Sequence, residues 1–305
     1  MGHSHNHTGL DHSHGPVTPS AQGKKRLRIA LALSGTLLVL EAVGGFASGS
    51  LALLADAGHM LADVAGLVLA LVAIHFAERP PTPDHTYGYH RVEILAALVN
   101  SVVLIGLSLL ILYEAVSRFS APPPVATGLM MGVAIVGLLV NLLSMRILHA
   151  GAATSLNLRG AYLEVLSDAL ASLGVLVAAI VMRTTGWPYA DPLVSLLIGV
   201  AILPRTWSLL KEAVGVLLEG VPGDVNLKEL RERIARVPGV AGVHDLHVWT
   251  LTSGMHAMSV HAVILGDAAH QVVLDDVQRT VASEFRIAHV TVQVEAKGCE
   301  GETHL

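Results

Sequence analysis

Six runs of about 20 apolar residues, each long enough to cross the hydrocarbon core of a bilayer, constrain this chain before anything else. They are Leu27 to Phe46, Leu51 to Phe76, Ile94 to Tyr113, Thr127 to Leu148, Ala161 to Val181 and Tyr189 to Leu210. No water at that depth satisfies backbone donors and acceptors, so each run is predicted to be a helix. The chain is 52% hydrophobic and 14% charged, against about 25% charged in ordinary soluble domains. It reads as a membrane protein. A formal net charge of -5 gives no basic surface for nucleic acid, which is excluded as a partner.

The positive charges matter by location. Lys24, Lys25, Arg26 and Arg28 flank the first run, Arg79 and Arg91 lie in the second link, and Arg146 and Arg159 around the fourth. The first link, Ala47 to Ser50, is uncharged, and the other odd links hold only Arg118 and Arg183. The positive-inside rule then places both termini and the even links in the cytoplasm. Pro122, Pro123 and Pro124 mark a stiff turn in the third link.

Inside the second run stand Asp56, His59 and Asp63. Ionisable side chains at membrane depth cost several kcal/mol unless paired, hydrated or bound to metal, so they read as functional. His59 and Asp63 are four apart, which places them on one helix face a turn apart. Glu164 and Asp168 form a second such pair in the fifth run, and no Lys or Arg lies in the central part of either run. Uncompensated acids and imidazoles imply a bound cation or protons, and two helices with two ligands each can close a four-coordinate site. Asp56 has two readings, an outer partner of the imidazole or proton exit, and a residue near the helix start. Glu41, Asn100, Asn141 and Ser144 read as contacts between helices. The single cysteine, Cys299, excludes an intrachain disulfide and leaves nitrogen and oxygen as metal donors.

The composition divides the chain. Residues 1–26, with His3, His5, His7, His12 and His14, read as a disordered cytosolic tail, either a weak metal scavenger or simply solvated. The six-span domain is expected over 27–212, a cytosolic domain over 213–298 and a tail over 299–305. Past Glu219 the composition turns soluble, and Gly220, Pro222 and Gly223 punctuate the change. Asp224 or Asn226 can cap a helix with apolar Leu227, Leu230 and Ile234, ending at Pro238 and Gly239. Val240 to Leu251, Met255 to Leu265 and His289 to Ala296 alternate or run β-branched as strands do, with a helix over Leu274 to Phe285. The expected fold is an all-α six-helix membrane domain followed by a small α+β, ferredoxin-like cytosolic domain.

Three segments together carry a family resemblance: SGSLALLADAGHMLAD at Ser48 to Asp63, GAYLEVLSD at Gly160 to Asp168, and HDLHVWTLTSG at His244 to Gly254. They resemble the cation diffusion facilitators, most closely the bacterial cobalt-zinc-cadmium resistance branch. The resemblance covers nearly the whole chain. It implies a homodimer in the inner membrane that exports divalent metal, Zn²⁺ and also Co²⁺, Cd²⁺ or Ni²⁺, in exchange for protons. By position it assigns the transport site to His59, Asp63, Glu164 and Asp168. Zinc members often carry histidine where Glu164 stands, so one nitrogen and three oxygens make a harder, more anionic site.

In the second link the resemblance points to a metal held by an aspartate and two histidines. Asp84, His85 and His90 lie there, but Tyr89 stands where the second histidine would fall, and a solvated loop is the competing reading. Arg91 corresponds to a basic residue that bridges to an acidic one, here Glu219. In the cytosolic domain the matching positions are His244, His261 and Glu295, a candidate structural Zn²⁺ site, with Gln293 replacing a histidine and His247 or His289 as substitutes. Surface histidines are the alternative. No organic cofactor is expected. Two other functions compete: an intramembrane metal-dependent hydrolase, which lacks a His-Glu-x-x-His helix or comparable set, and a membrane-anchored metal sensor without transport.

Overall fold

The computed structural model describes residues 21–152, 156–266 and 268–296. The five histidines of the leader, Cys299 and the C-terminal tail lie outside them. Among the described residues six helices are long and apolar enough to span a membrane. They are α1 (Ala21–Ser48), α2 (Leu51–Ala77), α3 (Val92–Ser120), α4 (Thr127–Ala152), α5 (Leu156–Thr185) and α6 (Ala190–Leu217). Their apolar side chains face outward as lipid-facing residues do: Phe46, Leu71 and Tyr113 are 79%, 67% and 74% exposed.

Two boundaries differ from expectation. α1 begins at Ala21, inside the stretch expected to be a disordered tail, because Gln, Lys and Arg are good helix formers and extend the apolar run. α6 continues to Leu217, so the boundary expected after residue 212 falls within a helix. Lys211 and Glu212 end the apolar run without ending the helix, since charge stops burial in lipid and not helical hydrogen bonding.

The described residues up to 60, with 113–198, pack as one unit. Its core joins Ala52 and Leu53 of α2 to Met130, Val133 and Ala134 of α4 and to Val175, Ala178 and Met182 of α5. Small residues let the backbones close up. A Cβ at Gly44 would stand 2.6 Å from Val133 Cγ2, and one at Gly45 would stand 2.8 Å from Leu54 Cδ2. In lipid this packing, rather than the hydrophobic effect, holds helices together.

Residues 61–112 and 199–296 belong to the other unit. It contains the C-terminal domain, built as α7 (Leu227–Ala235), β1 (Val240–Thr252), β2 (Met255–Ile264), α8 (His270–Phe285) and β3 (His289–Glu295). This is the expected α-β-β-α-β order. Asn226 provides the cap, accepting from the backbone N–H groups of Lys228 and Glu229 at 3.1 and 3.2 Å. β1 and β2 pair antiparallel, while β3 returns through α8 to pair parallel with β2. Both helices lie on the valine face of the sheet: Leu230, Ile234, Val273, Val277 and Val281 pack with Val248, Met258 and Val260. Arg233 of α7 binds Glu284 of α8 and, chiefly by that hydrogen bond, holds its carboxyl below the ordinary range.

The link before α3 and the first turn of α3 meet this domain. Arg91 donates to Glu219 at 2.9 Å, the pairing expected from the sequence. Glu93 accepts from Thr252 and, at 2.8 Å, from Ser253 at the β1–β2 turn. Tyr87 and His289 meet edge to face at 5.4 Å. With side chains 37% and 62% exposed, the Arg91–Glu219 pair sets register more than stability, because exposed pairs contribute about 1 kcal/mol or less.

Candidate metal centres

Each pair of intramembrane ligands sits on one helix. His59 and Asp63 stand a turn apart on α2, both partly buried, and Glu164 and Asp168 a turn apart on α5, where Asp168 is 5% exposed. Helical periodicity alone aligns each pair, because residues four apart share a face.

Glu41, expected from the sequence as a contact between helices, is fully buried on α1 and lies near the carboxyls of Asp56 on α2 and Asp168 on α5. The available signal in the sequence was that Glu41 is an acid in the middle of an apolar run. What it could not carry was the partner, since only packing brings residues 41 and 56 together. On α4 and α5, Asn141 donates to Ser172 at 3.3 Å, a contact between helices of the kind expected.

In the C-terminal domain the sheet builds a tighter cluster. Register sets His244 opposite His261 and His261 opposite Gln293, so three adjacent strands bring these positions abreast. Glu295 lies two residues past Gln293, on the same face of β3. His244 Nε2 is 3.0 Å from Glu295 Oε2, and His261 Nδ1 is 3.0 Å from Glu295 Oε1. Ligand atoms of all three lie within 4.8 Å of one another, the one such group of three among the described residues. Glu295 is 8% exposed. Two imidazoles and a carboxylate that converge in this way fit a zinc ion with a fourth position left for water.

The substitutes expected for Gln293 do not join. Gln293 instead donates to Glu295 Oε1 at 2.8 Å and orients the carboxylate. His247 lies 3.5 Å from Asp245, and His289 is engaged by Tyr87. Asp245 has φ of 51°, at the irregularity between His244 and His247, after which His247 pairs with Ser259.

The histidines of the second link also stay apart. Asp84, His85, His90, Arg91 and Glu219 line a cleft of about 680 Å³ with His247, but no three ligand atoms converge there. His85 stacks on Tyr89 at 4.7 Å, so the tyrosine that replaces the family's histidine also occupies the neighbouring one.

Residues 27–218 match the family described as "Cation efflux transmembrane domain", and residues 222–297 that described as "Cation efflux protein, cytoplasmic domain". The chain belongs to the cation efflux family. It is a multi-pass membrane transporter and not an enzyme. This cation efflux protein is 47% identical over 302 residues to "Metal cation efflux system protein CzcD" of Cupriavidus metallidurans, covering 98% of this chain and 91% of that one. It is 43% identical to "Zinc transporter ZitB" of Escherichia coli over 100% of this chain and 96% of the other. To a Bacillus velezensis protein named "Cadmium, cobalt and zinc/H(+)-K(+) antiporter" it is 41% identical, over 97% and 92%.

The sheet cluster leads to a graded prediction. Glu295→Ala should remove an equivalent of zinc bound per chain, whereas Gln293→Ala should weaken that equivalent about tenfold by releasing the carboxylate. Equilibrium dialysis of the full-length protein measures both, and equal retention in the two variants would show that the cluster holds no metal.

Proposed function

We propose that this protein exports divalent cations, Zn²⁺ foremost with Co²⁺, Cd²⁺ or Ni²⁺ as further substrates, from the cytoplasm across the inner membrane in exchange for protons. His59, Asp63, Glu164 and Asp168 hold the cation, both termini are cytoplasmic, and the working form is a homodimer. The observation that carries this reading is a two-ligand face on each of two spanning helices in a cation efflux protein. The names of the relatives support the metals, and the Bacillus velezensis name supports antiport. The match of residues 222–297 supports a cytoplasmic C-terminal domain, where His244, His261 and Glu295 would hold a structural Zn²⁺.

The chemistry follows from the donor set. Three carboxylates and an imidazole replace enough of the cation's water shell to bring it into the membrane, and they must be deprotonated to do so. Binding therefore displaces protons, and protons arriving from the far side displace the cation. His59 suits the shared role because imidazole titrates near neutral pH.

Flux in proteoliposomes with an imposed pH gradient tests the reading. Asp63→Ala and Asp168→Ala should each abolish zinc flux while the protein still folds, and wild-type flux should alkalinise the compartment that metal enters. Robust transport by either variant, or a flat internal pH while metal moves, would overturn it. Glu164→His lowers the anionic charge and adds a nitrogen, a set suited to Zn²⁺. That variant should keep zinc flux and lose part of its cobalt or nickel flux. An unchanged metal ranking in both Glu164→His and Glu164→Ala would remove Glu164 from the site.

A further inference from the structure

The start of α2 is held by a side chain from another helix. The first backbone N–H groups of any helix lack partners within it. At Leu51, Ala52 and Leu53 those donors are all satisfied. Leu51 and Ala52 donate to the two carboxylate oxygens of Asp191, at 2.9 and 3.2 Å, and Leu53 donates to Ser50 Oγ at 3.2 Å. The Ser50 hydroxyl in turn donates to Asp191 Oδ1 at 2.5 Å. Asp191 opens α6, 140 residues away in sequence, and is completely buried. Arg118, near the end of α3, supplies the countercharge at 3.6 Å and donates to the Gly49 carbonyl at 2.8 Å.

A cap of this kind exceeds what helix formation needs. Serine alone is among the best capping residues. Adding a fully buried carboxylate with its own arginine brings a desolvation penalty, so the pair is weak evidence of added stability. What the three bonds to one rigid carboxylate do fix is the rotation and depth of α2. That helix is continuous from Leu51 to Ala77, and His59 lies about 12 Å along it, at a rise of about 1.5 Å per residue. Donor atoms stand about 6 Å from the helix axis, so a rotation of about 20° displaces them by about 2 Å. Metal sites tolerate only about 0.5 Å.

We propose that Asp191 is a positioning residue for the cation site, locking the helix that carries His59 and Asp63 through the Ser50, Leu51 and Ala52 bonds. This rests on the assignment of those two residues as ligands. It places control of affinity and metal preference at the end of the helix, more than two turns from the ligands.

The experiment compares Asp191→Asn, Asp191→Glu and Ser50→Ala with wild type in proteoliposomes, recording half-saturation and maximal rate for Zn²⁺ and Cd²⁺, with Asp63→Ala in parallel. Asp191→Asn should raise the half-saturation concentration for zinc about tenfold and shift the Zn²⁺/Cd²⁺ preference, with the maximal rate changed by less than about threefold. Ser50→Ala should move both in the same direction by less, and Asp191→Glu should restore part of the loss. If Asp191→Asn does not fold, the Ser50→Ala shift decides. Unchanged half-saturation and metal preference in every folded variant, whatever happens to thermal stability, would overturn the proposal and leave Asp191 a merely structural cap. Zinc flux that survives Asp63→Ala would instead overturn the ligand assignment beneath it.

Discussion

The free energy of holding anionic side chains at membrane depth governs this protein. Asp56, His59 and Asp63 on α2, Glu164 and Asp168 on α5 and Glu41 on α1 place five carboxyls and an imidazole on spanning helices. No arginine or lysine lies within the central parts of α2 or α5. Such groups are costly at that depth unless paired, hydrated or bound to metal. In a cation efflux protein that requirement and the proposed function coincide: on that reading the cost of the empty site makes it receptive to a divalent ion, with protons as the alternative occupant. The burial of Glu41 and Asp56 extends the same logic beyond the four proposed ligands.

The C-terminal domain solves a different problem with different means. Its three ligand candidates come from three strands, and each is placed by sheet register rather than by helical spacing. The valine face of β3 packs on α7 and α8, which fixes the opposite face, and with it Glu295, against slippage. A one-residue slip would carry Glu295 into the core and break the cluster. Fold and candidate site are thus one constraint in this domain. In the membrane helices the ligand spacing is local and only the helix position needs support from elsewhere.

Much of this was legible in the residues because it is local. The six apolar runs follow from length and apolarity, the Asn226 cap from residue type, and the α-β-β-α-β order from patterns that repeat over three, four or two positions. The Arg91–Glu219 pair was reached through the family resemblance, and the structure joins it. Helix ends were less legible: α1 and α6 run past their apolar segments because helical hydrogen bonding is indifferent to where the lipid ends. Long-range partners were not legible at all. Nothing around Asp191 marks it as the partner of Ser50, and nothing around Glu41 marks it as the neighbour of Asp56. Gln293 looked like a lost ligand and proves to orient Glu295, a role that only the three-dimensional arrangement reveals.

The most direct test of the account is the coordination shell of zinc in the membrane domain. Zinc K-edge absorption of the full-length protein, in a Glu295→Ala background that removes the C-terminal site, reports donor type and distance. The account predicts a four-coordinate shell of oxygen and nitrogen at about 2.0 Å, with the scattering signature of one imidazole that disappears in His59→Ala. A shell of water alone, or an imidazole signature that survives His59→Ala, would contradict it.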